Sequence, residues 1–201
     1  MHYFVTQNSP PTPFRLAGVY AIKLGTGAEL RPLEPWQGQE FLDHMDRARD
    51  SVDPWIPWAS LSTNLASATA TLQRYADKAA QDKGRIYGIW QENVLVGGVM
   101  FVSFDAAGGV CEIGCWLEPA ATGRGLITRA AHHLVEWAFT TRGMYRVEWR
   151  CGTDNTASSA VAARLGMTRE AVLRGNYLYR GIRHDTEIWT LLAPDRPPST
   201  R

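Results

Sequence analysis

Between Gln37 and Arg49, Phe41, Leu42, Met45 and Ala48 recur on one side of a 3.6-residue period. Glu40, Asp43, Asp46 and Arg47 take the other side, which predicts an amphipathic helix. Ahead of it, from Tyr20 to Leu33, two short extended stretches flank Gly25-Thr26-Gly27 and predict a hairpin. The helical period breaks at Asp53-Pro54-Trp55-Ile56-Pro57-Trp58, where two prolines stop a helix and the indoles need something else to pack on. It resumes from Asn64 to Gln81, with Leu65, Ala68, Leu72, Tyr75, Ala76 and Ala79 in phase and Ser62, Thr63 or Asn64 as cap. Strand patterns follow at Arg85–Trp90, Val94–Phe104 and, after Gly108-Gly109, Val110–Leu117, an antiparallel meander.

From Gly125 to Arg142 a broad apolar stripe predicts a long helix lying on that sheet, with Arg129, His132, His133 and Glu136 on its solvated side. Tyr145–Cys151 alternates as a half-buried strand, and a short helix from Asn155 to Leu165 stops at Gly166. Two strands, Ala171–Arg180 and Asp185–Leu192, turn at Arg180-Gly181. Counting the leading hairpin as one member, the order is β-α-α-β-β-β-α-β-α-β-β. That is an α/β (α+β) fold, a mostly antiparallel mixed sheet of about seven strands with helices on both faces.

A chain of 201 residues, 45% of them hydrophobic, makes one domain with a sizeable core. Residues 20–192 carry the patterned elements. Residues 1–19, with Pro10, Pro11 and Pro13, read as an arm, and the proline-rich residues 193–201 as a flexible tail. A formal charge of +1 provides no basic field for nucleic acid. No apolar run reaches membrane length and no signal-like start is present, so a cytoplasmic location is expected. Cys111, Cys115 and Cys151 are odd in number and lie in apolar strands, which predicts buried free thiols and no metal centre.

The chemistry concentrates where the strand Val110–Leu117 turns through Gly123-Arg124-Gly125 into a helix. Unpaired backbone N–H groups and the positive end of the helix dipole meet there, a setting for an anion. Glycines let the backbone approach a pyrophosphate, and Arg124 is a candidate charged contact. The turn alone is unspecific. It lacks the full dinucleotide fingerprint and the Gly-Lys-Ser/Thr of a Walker loop.

Four motifs stand in order along the chain: Glu112-Ile113-Gly114-x-Trp116-Leu117, Gly123-Arg124-Gly125-Leu126-Ile127-Thr128, Arg146-Val147-Glu148, and Asp154-Asn155-x-x-Ser158-x-x-Val161-x-x-Arg164-Leu165-Gly166-Met167. Together they resemble the GNAT-type N-acetyltransferases, and within them the RimJ/RimL-like branch. The match continues through Leu173-Arg174 and Gly181 to His184-Asp185, and spans roughly residues 20 to 192. The resemblance implies acetyl transfer from acetyl-CoA to a primary amine, with no metal, and two splayed strands, Val110–Leu117 and Tyr145–Cys151, that admit the pantetheine between them. Cys115, Trp116 and Leu117 would bind its amides and polarise the thioester carbonyl. Thr122, Gly123, Arg124, Gly125, Leu126, Ile127 and Thr128 would hold the pyrophosphate. Asn155 and Ser158 would flank the arm, with Ser158 as candidate proton donor to the departing thiolate or simply a helix cap.

Two positions depart from the family's phosphate loop, where Gln or Arg is common at the place of Thr122 and Gly or Ala at that of Ile127. A third concerns the base. Glu112 occupies the strand position of a catalytic glutamate in many members, or serves as a structural carboxylate. The branch's own basic Glu falls about where this chain has Tyr177. Tyr177 is a candidate for catalysis or amine positioning, or for packing. His184-Asp185 looks like a dyad, though the family pattern there is structural. Trp36, Trp55, Ile56, Pro57 and Trp58 are the candidate acceptor wall, or glue between helices and sheet. The implied acceptor is a protein N-terminal amine. A small-molecule amine is the alternative, a non-catalytic acyl-CoA sensor the second, and a homodimer through an exposed strand edge fits the fold.

Overall fold

A computed structural model describes residues 20–56 and 58–196. The proposed arm, Pro57 and the end of the proposed tail lie outside those residues. The hairpin β1 (Ile22–Gly25) and β2 (Ala28–Pro32) turns with Gly25, Thr26 and Gly27 all at positive φ. Helix α1 (Gly38–Val52) buries Phe41, His44, Met45, Ala48 and Val52. A four-residue helix α2 (Trp58–Leu61), unanticipated because one turn carries no readable period, leads to α3 (Leu65–Ala80). Asn64 caps α3, its side chain accepting from Ser67 N at 2.9 Å. The meander follows as β3 (Arg85–Gln91), β4 (Val94–Asp105) and β5 (Val110–Leu117). Then come α4 (Leu126–Thr140), β6 (Arg146–Gly152), α5 (Thr156–Arg164), β7 (Thr168–Tyr179) and β8 (Ile182–Leu192).

The sheet has eight strands in the order β1-β2-β3-β4-β5-β6-β8-β7, one more than expected because both arms of the leading hairpin pair in it. Every neighbouring pair is antiparallel except β5 and β6. These two are joined by the crossover helix α4, which returns the chain to run in the same direction. Helices cover both faces. Helices α1 and α3 close one core over Phe41, Met45, Leu72, Met100 and Trp116. Helices α4 and α5 close the other over Phe101, Ile113, Leu126, Leu134 and Trp149.

Residues Ala193–Asp195 form a single 3-10 turn where a flexible tail was expected. Ala193 N donates to Tyr145 O at 2.9 Å, and Arg196 pairs with Glu136 at 2.6 Å while lying over the Phe139 ring. These contacts anchor the segment as far as Arg196. Among the described residues no helix is long and apolar enough to cross a membrane.

Candidate active site

Strands β5 and β6 pair in register from Val110–Arg146 to Ile113–Trp149 and no further. Beyond that point β5 continues to pair with β4 as far as Leu117, and β6 with β8 as far as Gly152. Each diverging half is therefore bonded on its outer side and open on its inner side, the splay expected from the sequence.

Two cavities meet at the splay. One, of about 810 Å³, opens toward α4 and α5 and is lined by Cys115, Trp116, Leu117, Thr122, Gly123, Gly125, Leu126, Ile127, Thr128, Asn155 and Ser158, among others. The other, of about 430 Å³, lies toward α3 and the β7–β8 hairpin, and takes in Trp55, Ile56, Trp58, Glu112, Tyr177 and His184. Trp55, Ile56, Cys115, Asn155 and Ser158 line both, so the two spaces adjoin at this set.

In the first cavity α4 begins at Gly125, which stands at φ 67° with no side chain capping it. That left-handed conformation calls for glycine, whereas the Arg129 guanidinium, 2.9 Å from where a Cβ would stand, is the end of a flexible side chain and could move aside. The first N–H groups of α4 have no acceptor within the helix, and an anion at the loop would satisfy them. Asn155 caps α5 by accepting from Ser158 N at 3.1 Å, while Ser158 Oγ accepts from Trp149 Nε1 at 2.9 Å. The Ser158 hydroxyl is thereby fixed in place with its own proton still free to donate.

In the second cavity Glu112 sits 3.7 Å from Arg150 Nε. Burial raises its pKa above the ordinary carboxylate value, against the opposing charge of Arg150. Tyr177 stacks on Tyr179 at 5.9 Å, and its hydroxyl is buried without a hydrogen-bond partner among the described residues. Burial raises its pKa, with Tyr179 and Asp53 contributing. Trp58 packs edge-on against Trp116 at 5.3 Å, and Trp55 is 40% exposed at the junction.

Two sequence expectations, for Trp36 and Arg124, do not hold in place, and the apparent His184-Asp185 dyad is not one. Trp36 is 77% exposed and lines neither cavity. It precedes the N-terminus of α1, whereas the cavities lie at the other end of that 15-residue helix, roughly 20 Å away. The Arg124 side chain is turned outward, donating to Gln91 Oε1 at 2.9 Å, and lines neither cavity. His184 and Asp185 form no dyad, because adjacent strand residues face opposite sides. His184 Nδ1 lies 4.0 Å from Asp154, and Asp185 accepts from Gly175 N at 2.7 Å.

The sequence reading also missed residues. Arg129, assigned to the solvated side of α4, lines the first cavity together with Arg164. His44 is fully buried on α1; its Nε2 accepts from Trp116 Nε1 at 3.0 Å, and its Nδ1 faces Glu118 at 3.3 Å. Its position one turn after Phe41, on the apolar face, was the available signal. The free thiols Cys111 and Cys115 are both pushed up to about 12, by burial first, so neither is a thiolate at neutral pH. Among the described residues no three His, Cys, Asp or Glu side chains converge to hold a metal ion.

The profile of the acetyltransferase (GNAT) domain matches residues 29–168. The Bacillus subtilis protein named "Putative ribosomal N-acetyltransferase YdaF" is 24% identical over 179 residues, 87% of this chain and 96% of that one. The Escherichia coli ribosomal-protein-serine acetyltransferase is 29% identical over 119 residues, 59% of this chain and 66% of that one. A solved RimL ribosomal alpha-N-protein acetyltransferase in complex with coenzyme A superposes with a TM-score of 0.82 at 20% identity, over 88% of this chain and 99% of that one. The microcin self-immunity acetyltransferase MccE, solved with acetyl-CoA and AMP, gives 0.79 at 23% identity, over 87% and 97%. At such identities the structural likeness establishes the fold.

Proposed function

The chain belongs to the GNAT acetyltransferase family, and we propose that it moves the acetyl group of acetyl-CoA to the N-terminal amine of a protein, a ribosomal protein in the first instance. The observation that carries this reading is the meeting of the two cavities at the splay. One adjoins an uncapped helix N-terminus and the other a carboxylate of raised pKa, with Ser158 at the junction. The named activities of the relatives support the choice of acceptor.

Acetyl-CoA supplies the thioester carbonyl. In the chain, the inner backbone of Cys115–Leu117 binds the pantetheine amides and the thioester oxygen in place of a strand. The N–H groups of residues 123–128 hold the pyrophosphate. Glu112 takes a proton from the acceptor ammonium, directly or through water, so that the neutral amine attacks the thioester carbon, and its raised pKa makes it a stronger base than an exposed carboxylate. Ser158 returns a proton to the departing thiolate, its lone pair held by Trp149. Trp55, Ile56, Trp58 and Tyr177 form the acceptor wall. A cytoplasmic location belongs to the same proposal, as does a homodimer across the exposed edge strand β7, which sedimentation would test.

The test is thiol release from acetyl-CoA with peptide N-termini, polyamines and aminoglycoside-type amines, for wild type and Gly125→Trp. Turnover with peptides that Gly125→Trp abolishes in a folded protein is the expected result. Turnover confined to small amines would replace the acceptor. Coenzyme binding by calorimetry without turnover of any amine would favour a sensor, and absence of binding would end the reading.

A further inference from the structure

The charged side chains lining the two cavities differ in kind. Among the described residues, the larger cavity carries no carboxylate, and its only charged side chains are Arg129 and Arg164. The smaller one carries Glu112 and Asp154 beside Arg150 and His184. Arg129 occupies the first turns of α4, where the helix dipole already presents positive charge and a cation is unfavourable without an anion nearby. Its Nη2 donates to Arg124 O at 2.6 Å, while its Nε is buried with no acceptor. Arg164 stands across the cavity at the end of α5, exposed, its Nε donating to Thr128 Oγ1 at 3.3 Å. Neither arginine is within ion-pair distance of a carboxylate among the described residues. The loop's own arginine, Arg124, is engaged outside the cavity with Gln91.

We propose that Arg129 and Arg164 are a side-chain phosphate clamp that replaces the missing loop cation, with Arg129 on the pyrophosphate and Arg164 on the 3′-phosphate of coenzyme A. The inference rests on the acetyl-CoA reading above. Backbone N–H groups at a helix start offset about half a charge, whereas a pyrophosphate and a ribose phosphate together carry several. Two guanidiniums with free N–H groups supply the remainder through charge-assisted, bidentate contacts. Arg129 is nearer the loop backbone and already bonded to it. Arg164 is exposed at the end of α5 and lines the same cavity, so a phosphate that it holds would lie nearer solvent than one at the loop. The site therefore distinguishes coenzyme A from dephospho-coenzyme A.

Calorimetric titration of the full chain with each of those two compounds tests the assignment. Wild type should bind coenzyme A about 10-fold or more tightly than dephospho-coenzyme A, the scale of one charged hydrogen-bonded contact. Arg164→Ala should weaken coenzyme A by a similar factor and leave dephospho-coenzyme A unchanged, so that the ratio falls to about one. Arg164→Lys should restore part of it. Arg129→Ala should weaken both compounds alike, and far-ultraviolet dichroism would verify that α4 is intact. At saturating acetyl-CoA, kcat of the Arg164 variant should match wild type while KM rises. Equal affinity of wild type for both compounds, or an Arg164→Ala loss shared equally by both, would overturn the clamp while leaving the acetyl-CoA reading in place. Failure of wild type to bind either compound would overturn both.

Discussion

The buried His44 should make this protein acid-sensitive from about pH 6.5 downward, a loss that begins above the ordinary carboxylate range. Burial, with the charge of Arg47 added, pushes the His44 pKa from 6.5 down to about 3. The neighbouring Glu118 does little to oppose this, because Arg47 shares the same carboxylate oxygen at 3.3 Å. With Nε2 accepting from Trp116, the neutral ring carries its proton on Nδ1. The unfolded chain binds a proton at this residue below about 6.5 and the folded one does not. The stabilisation is therefore fully present above that value and lost as pH falls from about 6.5 toward 3. Each unit in that window is worth about 1.4 kcal/mol, and integration from pH 7 to pH 5 gives a loss of about 2 kcal/mol. That is a sizeable share of a net stability of about 5–15 kcal/mol. Gln at this position keeps an acceptor for Trp116 and a donor for Glu118 but does not titrate. Urea unfolding at pH 7 and pH 5 should show His44→Gln losing about 2 kcal/mol less than wild type, whatever its stability at pH 7. If the two proteins lose the same amount, the reasoning about His44 is wrong, and the other titrating groups, common to both, carry the acid sensitivity.

Glu112→Gln should lower kcat/KM by about 10²–10⁴-fold, the usual range for a removed general base. Because burial raises the Glu112 pKa, wild-type kcat/KM should climb with pH through a value above the ordinary carboxylate range; a variant retaining that limb would assign it elsewhere. Asn155→Ala removes the acceptor for Ser158 N and should cost about 1 kcal/mol in chemical unfolding, with a larger fractional fall in kcat than in stability because Ser158 is released. No fall in kcat would argue against Ser158 as proton donor. Gly98→Ala would drive a methyl into the Trp116 ring and the Tyr87 carbonyl and should destabilise by about 1–3 kcal/mol, read as a lower urea midpoint; an unchanged midpoint would show that β5 can shift.

The fold was legible wherever apolar periodicity extended over two turns or more, or over five alternating residues. Helices α1, α3, α4 and α5 lie within a few residues of the ranges read from the sequence. The meander, with its Gly108-Gly109 turn, and the two-residue turn at Arg180-Gly181, both of whose residues stand at positive φ, were marked in the sequence. What escaped was decided by partners distant in sequence. Strand β7 begins at Thr168 because β8 pairs that far, Thr168 facing Thr190, and nothing local signals it. Arg129 looks solvated on a helical wheel, yet the loop before α4 folds over it and makes it a cavity residue. Trp36 and Trp55 are equivalent as sequence features and opposite in placement, since a helix of 15 residues separates them.

The splay itself follows from competition among hydrogen-bond partners. If β5 and β6 stayed paired beyond Ile113–Trp149, Cys115 would lie beside Cys151, two residues on in each strand. Closing that gap requires β5 to leave β4 or β6 to leave β8, because each is bonded outward to its end. The buried His44–Trp116 bond fixes β5 further toward α1, and the Trp149–Ser158 bond ties β6 to the start of α5. The inner backbone N–H and C=O groups of this stretch are then left without a strand partner and face the cavities, free to bond an occupant. An extended molecule with amide groups of its own bonds them as a strand would. The outward bonds that hold the strands apart thus shape the proposed binding site, and on that proposal His44, through its bond to Trp116, would help position the strand against which the thioester is expected to lie.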